Sequence, residues 1–211
     1  MSIIYCIYIA ILSMCTLIGL LCLSAFKKPH RIFLVYIVLT FIVEWIGAYN
    51  LYLSQNRHID FNIYYVYIVL NFIFISIYFS RIIQNNWFKM IALWIIPFIV
   101  IIMIGLIYWK EISVHKLFLI NVFFFVLYSI VFLFQLLRSD EDVLANPHFW
   151  IVTGILFFHS GFFFLSGFVN YISQNDLELA RKLYSINHVL NIIYYSLITY
   201  GFICQRRLAR S

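Results

Sequence analysis

Residues 32–53 read IFLVYIVLTFIVEWIGAYNLYL and contain one charged side chain, Glu44. A helix needs about 20 mostly apolar residues to cross the hydrocarbon core of a bilayer. This stretch is long enough, and its lone carboxylate falls near the middle. It raises two questions at once: how many such segments there are, and what Glu44 is for.

Working outward, six more apolar runs meet the length requirement, at about 2–26, 62–83, 89–109, 117–137, 148–172 and 187–205. The links between them are short. The chain therefore reads as one all-α domain over residues 1–211, a polytopic bundle of seven transmembrane helices whose first partner is the lipid bilayer. No Gly/Ser linker, low-complexity tract or clear repeat interrupts it. Composition agrees, with 65% hydrophobic and 10% charged residues, where an average soluble domain has about 25% charged. The 23 Phe and 16 Tyr suit lipid-facing and interfacial positions.

The net charge of +6 does not point to nucleic acid, because the basic residues sit in short loops between apolar runs. They report orientation instead. If the first helix starts outside, the cytoplasmic side holds Lys27, Lys28, Arg31, Arg81, Lys89, Arg138, Arg206, Arg207 and Arg210, and the outer side Arg57, Lys110, Lys116, Arg181 and Lys182. That split of nine against five accounts for all 14 basic residues and favours N-out, C-in. An even number of crossings would break the alternation. No Lys or Arg precedes Lys27, so the first run lacks the positive start of a signal peptide. Cys6, Cys15, Cys22 and Cys204 lie in apolar segments without ligand-like spacing and read as small apolar residues.

Two boundaries carry capping signals. Asn146-Pro147 precedes the sixth helix, with Asn as cap and Pro at the first helical position. Asn175-Asp176-Leu177-Glu178 can start a helix by a capping box. Leu177, Ala180, Leu183 and Tyr184 would share a face of an outer interfacial helix or an extension of helix seven.

Helical periodicity shows which faces look inward. Helix two aligns Tyr36, Thr40, Glu44 and Gly47; helix three Tyr64, Tyr67, Asn71 and Tyr78; helix five Asn121, Tyr128 and Gln135. Helix six aligns His148, His159 and Asn170 with Ser166 alongside, and helix seven His188, Asn191, Tyr195 and Thr199. Helix four has no polar face, only Pro97, and should be the most lipid-exposed. Gly154, Gly161 and Gly167 are expected to let helices approach closely.

Glu44 is the sharpest of these signals. A carboxylate at the bilayer midplane costs at least ~2.5 kcal/mol on insertion scales, so it is expected to face a partner or cavity. It could carry a proton, bind a ligand or catalyse, or it could be a protonated hydrogen-bonding group between helices. His159 and Asn71 match its depth. The three are expected to meet at a polar cavity in the centre and outer half of the bundle, with Tyr67, Asn121, Asn170, His188, Asn191 and Tyr195 as further ligand-binding candidates. Each of these is equally explained by interhelical hydrogen bonding.

Specific chemistries are not supported, so the catalytic residues stay open and no cofactor or metal is expected. Residues 188–204 contain no Lys for a retinal Schiff base. His159 lacks a second histidine at its depth for a bis-His haem. No HExxH, P-loop or GxSxG is present. His58, His115 and His188 all fall towards the outer side, where solvated histidines need no metal.

Asn146-Pro147-His148-Phe149-Trp150-Ile151 with Thr153-Gly154, the run from Asn187 to Asn191 into Tyr194-Tyr195 and Gly201-Phe202, and Glu44-Trp45 before Gly47 resemble segments of small, uncharacterised seven-helix integral membrane proteins of flavobacteria and their relatives. The resemblance spans most of the chain. It implies a multi-pass protein of a bacterial cytoplasmic (inner) membrane and transfers no catalytic role.

Three functions stay open. One is a sensory or binding module that takes a small or lipid-like ligand and signals to a separate membrane or cytoplasmic partner. The second is an intramembrane enzyme or proton-coupled carrier using Glu44 and His159. The third is a structural subunit of a membrane complex. The charge split tests the topology directly: reporter fusions at Lys28 and at Arg207 should both report cytoplasm. Opposite sides would overturn the seven-crossing arrangement.

Overall fold

A computed structural model describes residues 3–52, 61–109, 113–140, 142–172 and 176–210. Among these the chain is all-α, with seven helices: α1 Ile3–Leu21, α2 Lys28–Tyr52, α3 Phe61–Ile82, α4 Asn86–Tyr108, α5 Val114–Leu137, α6 Pro147–Ile172 and α7 Leu177–Leu208. Six of them, α1 to α6, are long and apolar enough to cross a membrane, as a multi-pass membrane protein requires.

The first apolar run is shorter as a helix than its hydropathy suggests. α1 stops at Leu21, a short 3-10 turn covers Leu23–Ala25, and Phe26 is extended. Pro29 follows in the first turn of α2, where its missing N–H breaks no helical bond. The carbonyls exposed by this break find donors: Arg31 Nε donates to the Phe26 carbonyl at 3.0 Å, and Gln205 Nε2 to that of Ala25 at 3.3 Å. Without them, buried helix-end carbonyls would be costly.

The Asn146 cap is in place, and α7 starts on an Asp176 cap rather than on the expected capping box, whose first residue, Asn175, lies outside the described residues. Asn146 Oδ1 accepts from the His148 N–H at 2.9 Å. The Asp176 side chain accepts from the Leu179 N–H at 2.9 Å, and α7 then runs unbroken through 32 residues. Residues 177–185 are thus an extension of helix seven, not a separate interfacial helix. Of its expected apolar face, the side chains of Leu177, Ala180 and Tyr184 lie outside the described residues; Leu183 packs against the core.

The main helix contacts close a ring. α1 packs on α2, α2 on α3, α3 on α5, α5 on α6, α6 on α7, and α7 returns to α1. α4 packs mainly on α3 and stands outside the ring. Small residues permit the tightest junction, α6 with α7. A Cβ on Gly154 would meet Leu197 at 3.3 Å and Tyr194 at 3.4 Å; one on Gly161 would meet Leu190 at 2.9 Å. Gly167 is different, since a Cβ there would meet nothing within 4 Å, so it does not serve helix packing.

The ring explains why α7 falls short of the hydropathy of a membrane span while α4 exceeds every other helix, at a mean of 3.0. α7 turns Asn191, Thr199 and Gln205 inward, all buried. α4 exposes Trp94, Phe98, Ile101 and Ile104, and buries only Met103 fully among its described side chains. Pro97 lies within the helix without ending it.

Substitutions on α4 should divide by face. Ile102→Leu keeps volume on a half-exposed site and should cost under about 1.5 kcal/mol. Met103→Ala opens a cavity against α3 and should cost about 2–5 kcal/mol. Thermal unfolding in detergent checks the contrast; equal effects would contradict the peripheral position of α4.

Candidate functional site

Glu44, Asn71 and His159 line one cavity of about 140 Å³ inside the ring, together with Tyr36, Tyr67, Asn187, Asn191 and Tyr195. Phe118, Phe158 and Phe162 complete its walls. Each helix supplies residues from one stripe: Tyr36 and Glu44 are eight apart on α2, Tyr67 and Asn71 four apart on α3, and Asn187, Asn191 and Tyr195 successively four apart on α7. These spacings put each set on one face. α1 contributes Tyr8, whose hydroxyl hydrogen-bonds the half-buried Glu44 carboxyl.

The cavity adjoins a wider opening of about 480 Å³ at the end of the bundle where α2 stops and α3 and α5 start. Glu44, Tyr67, Phe118 and Phe162 belong to both. Tyr64, Tyr65 and His115 line the opening but not the cavity. His115 Nε2 lies 2.6 Å from Ser166 Oγ, which ties the start of α5 to α6.

Hydrogen bonds in the wall have a direction. Thr40 donates its one proton to the Tyr36 carbonyl at 2.9 Å. The 3.1 Å contact between Thr40 Oγ1 and the Tyr67 hydroxyl is therefore donated by Tyr67. Tyr36 also bonds Tyr67, and Tyr194 donates to Tyr36 at 3.3 Å. His159 Nδ1 lies 2.8 Å from the Ile155 carbonyl; since a carbonyl only accepts, Nδ1 carries the proton and Nε2 is the basic nitrogen. The ring is clamped by Phe125 and Phe158, edge-on at 5.0 Å each, and by Phe118, stacked at 6.0 Å.

Other candidates lie elsewhere. Asn121 is fully buried but not on the cavity; its Nδ2 donates to the Ile68 carbonyl at 2.9 Å. Gln135 Oε1 accepts from the Gln84 N–H at 3.1 Å. The α5 stripe thus fastens α5 to α3. His188 stacks on Tyr8 at 5.8 Å and meets Tyr5 edge-on at 5.3 Å, behind the cavity wall rather than on it. The side chain of Asn170 lies outside the described residues, as do Arg57, His58 and Lys110. Among the described residues no group of three His, Cys, Asp or Glu is placed to hold a metal.

The α6 stripe of His148 and His159, eleven residues apart, does not serve one site. His148 sits at the opposite end, its Nδ1 2.9 Å from the Tyr78 hydroxyl and its ring stacked on His30 at 4.3 Å. Stacked rings present faces to each other, so this pair does not form a bis-imidazole ligand set. Between the two polar clusters lies an apolar layer. Phe33 touches Tyr36 at 5.3 Å on one side and Tyr78 at 4.8 Å on the other, with Phe202 beside it.

Sequence reasoning missed Tyr8, Asn187 and His30. Asn187 stands four residues before Asn191 and was accessible to the same spacing argument. Tyr8 and His30 had no such signal, since each becomes informative only through a neighbour on another helix. No family model, curated protein or solved structure matches the chain.

Asn71 and Asn121 give opposite expectations. Asn121→Ala breaks an interhelical bond and should cost about 0.6–2 kcal/mol. Asn71 Oδ1 is buried with no partner, so Asn71→Leu should be neutral or stabilising. Unfolding temperatures of the two variants in one detergent check this; an Asn71→Leu loss as large as that of Asn121→Ala would refute it.

Proposed function

We propose that the protein is a seven-crossing, N-out, C-in module of a bacterial inner membrane that binds a small polar ligand, free or carried on a lipid. It would report occupancy to a separate membrane or cytoplasmic partner. The observation that carries the reading is the convergence of Glu44, Asn71 and His159, from three helices, on a half-polar cavity beside a wider opening. Interhelical bonding leaves Asn71 Oδ1 and Asn187 Oδ1 beside this cavity without partners, as it also leaves Asn121 Oδ1, Ser76 Oγ and the Tyr128 hydroxyl away from it. Polar groups at membrane depth that bond to nothing in the protein are costly, and what favours a binding role here is that three helices bring theirs to one cavity.

The intramembrane enzyme or proton-coupled carrier has one feature in its favour: the hydroxyl series Tyr194, Tyr36, Tyr67 and Thr40 near Glu44. Against a carrier stands the Phe33–Phe202 layer, which separates this series from Tyr78 and His148. A proton path across the bundle would need that layer to open.

The test is to purify the protein in lipid nanodiscs and identify small molecules that remain bound by native mass spectrometry. A bound species should be present in the wild type and lost in Glu44→Gln with the fold retained. If Glu44 only joins helices, Glu44→Gln is silent and Glu44→Ala costs about 0.6–2 kcal/mol. That outcome, with no bound species, would sink the binding reading; substrate-dependent proton movement in proteoliposomes would replace it with the carrier.

A further inference from the structure

We infer that the ligand is a membrane lipid, with one acyl chain in a groove between α3 and α4 and its polar end in the opening beside Glu44. The inference rests on the binding reading above and settles on the lipid-borne form of the ligand. The groove has a volume of about 380 Å³ and is lined by Tyr65, Val66, Val69, Leu70, Ile104 and Ile107. The four α3 residues share one face, and the two α4 residues are three apart. Val66 and Ile104 are exposed, on helices long and apolar enough to cross a membrane, so this surface meets hydrocarbon. Tyr65 joins the groove to the opening, because it lines both. The opening in turn shares Glu44 and Tyr67 with the central cavity. An apolar wall and a polar one thus meet at Tyr65, near the start of α3 and the end of α4.

That succession of surfaces matches an amphiphile. Lipid tails are as apolar as aliphatic side chains, so the groove gives a chain good packing but no preference over the surrounding bilayer. Preference comes from the polar end, where the opening offers Glu44, Tyr64, Tyr67, Ser113 and His115. Hydroxyl and imidazole groups both donate and accept hydrogen bonds, and so replace the water that a headgroup gives up on leaving the interface. A free polar solute would use the opening and the cavity and leave the groove without a role. A helix of another protein fits the groove less well. With its side chains a helix is about 10–12 Å wide, whereas residues 65 to 70 cover only about 7.5 Å of the α3 axis.

The experiment places the full chain in nanodiscs of phosphatidylglycerol, phosphatidylethanolamine and diacylglycerol, each with a photoactivatable diazirine on one acyl chain. The protein is then extracted and washed in detergent, so that only retained lipid remains. Native mass spectrometry should find a single retained lipid, and illumination should attach it to residues 65–70 or 104–107. Ile104→Trp fills the groove from an exposed position and should lower retention about tenfold or more. Ile101→Trp, exposed on the same helix but outside the groove, should leave retention unchanged. A lipid that attaches elsewhere, or that the two Trp variants affect equally, would overturn the inference. Retention of a water-soluble species, lost in Glu44→Gln, with no lipid would also overturn it and leave the binding reading standing. Retention of neither would overturn both. If Ile104→Trp does not fold, the attachment sites on the wild type decide alone.

Discussion

The hydrocarbon core offers no water, so every polar group at membrane depth must find a partner inside the protein or face a cavity. The rest of the structure follows from that constraint. It forces the backbone into helices. It also turns the polar stripes of α2, α3, α5, α6 and α7 away from lipid. α4, with no such stripe, is free to stand outside, where its Trp94, Phe98 and Ile101 are exposed.

The same constraint explains the unequal apolarity of the helices. Hydropathy averages over the whole circumference of a helix, whereas lipid meets one side. α7 can therefore carry Asn187, Asn191, Thr199 and Gln205 without meeting the hydropathy of a membrane span, because α1 and α6 cover those positions. Glycine at 154 and 161 brings α6 against α7 closely enough to make that cover tight. Where lipid tails are as apolar as the side chains, close packing and hydrogen bonds supply the association.

Within the ring, polar groups fall into two kinds. Asn121, Gln135 and His115 bond across to neighbouring helices or turns and hold the assembly together. The cavity groups do less for stability. Asn71 and Asn187 keep unpartnered oxygens and, unlike Asn121, make no side-chain bond across to a neighbouring helix among the described residues, and Glu44 bonds Tyr8. Leaving buried acceptors unmet costs stability, and the cavity is one of several places in the bundle where that cost falls.

Spacing along the chain was enough to read the all-helical membrane fold, the number of helices, the Asn146 cap and the stripe on which each polar residue lies, though not that α1 stops at Leu21 or that α7 starts at Leu177. Those properties depend on spacing along one chain segment. Glu44, Asn71 and His159 were legible together because depth can be counted from the helix ends. Which stripes share a cavity was decided only in three dimensions. Periodicity fixes the angle of a side chain about its own helix axis, not which helix stands opposite. Thus Asn121, as well placed in sequence as Asn71, is tied to the Ile68 carbonyl; His188 packs behind Tyr8; and His148 meets His30 at the far end. The ring order that places α3 against α5 and excludes α4 comes from packing among apolar surfaces that sequence pattern cannot tell apart from surfaces facing lipid.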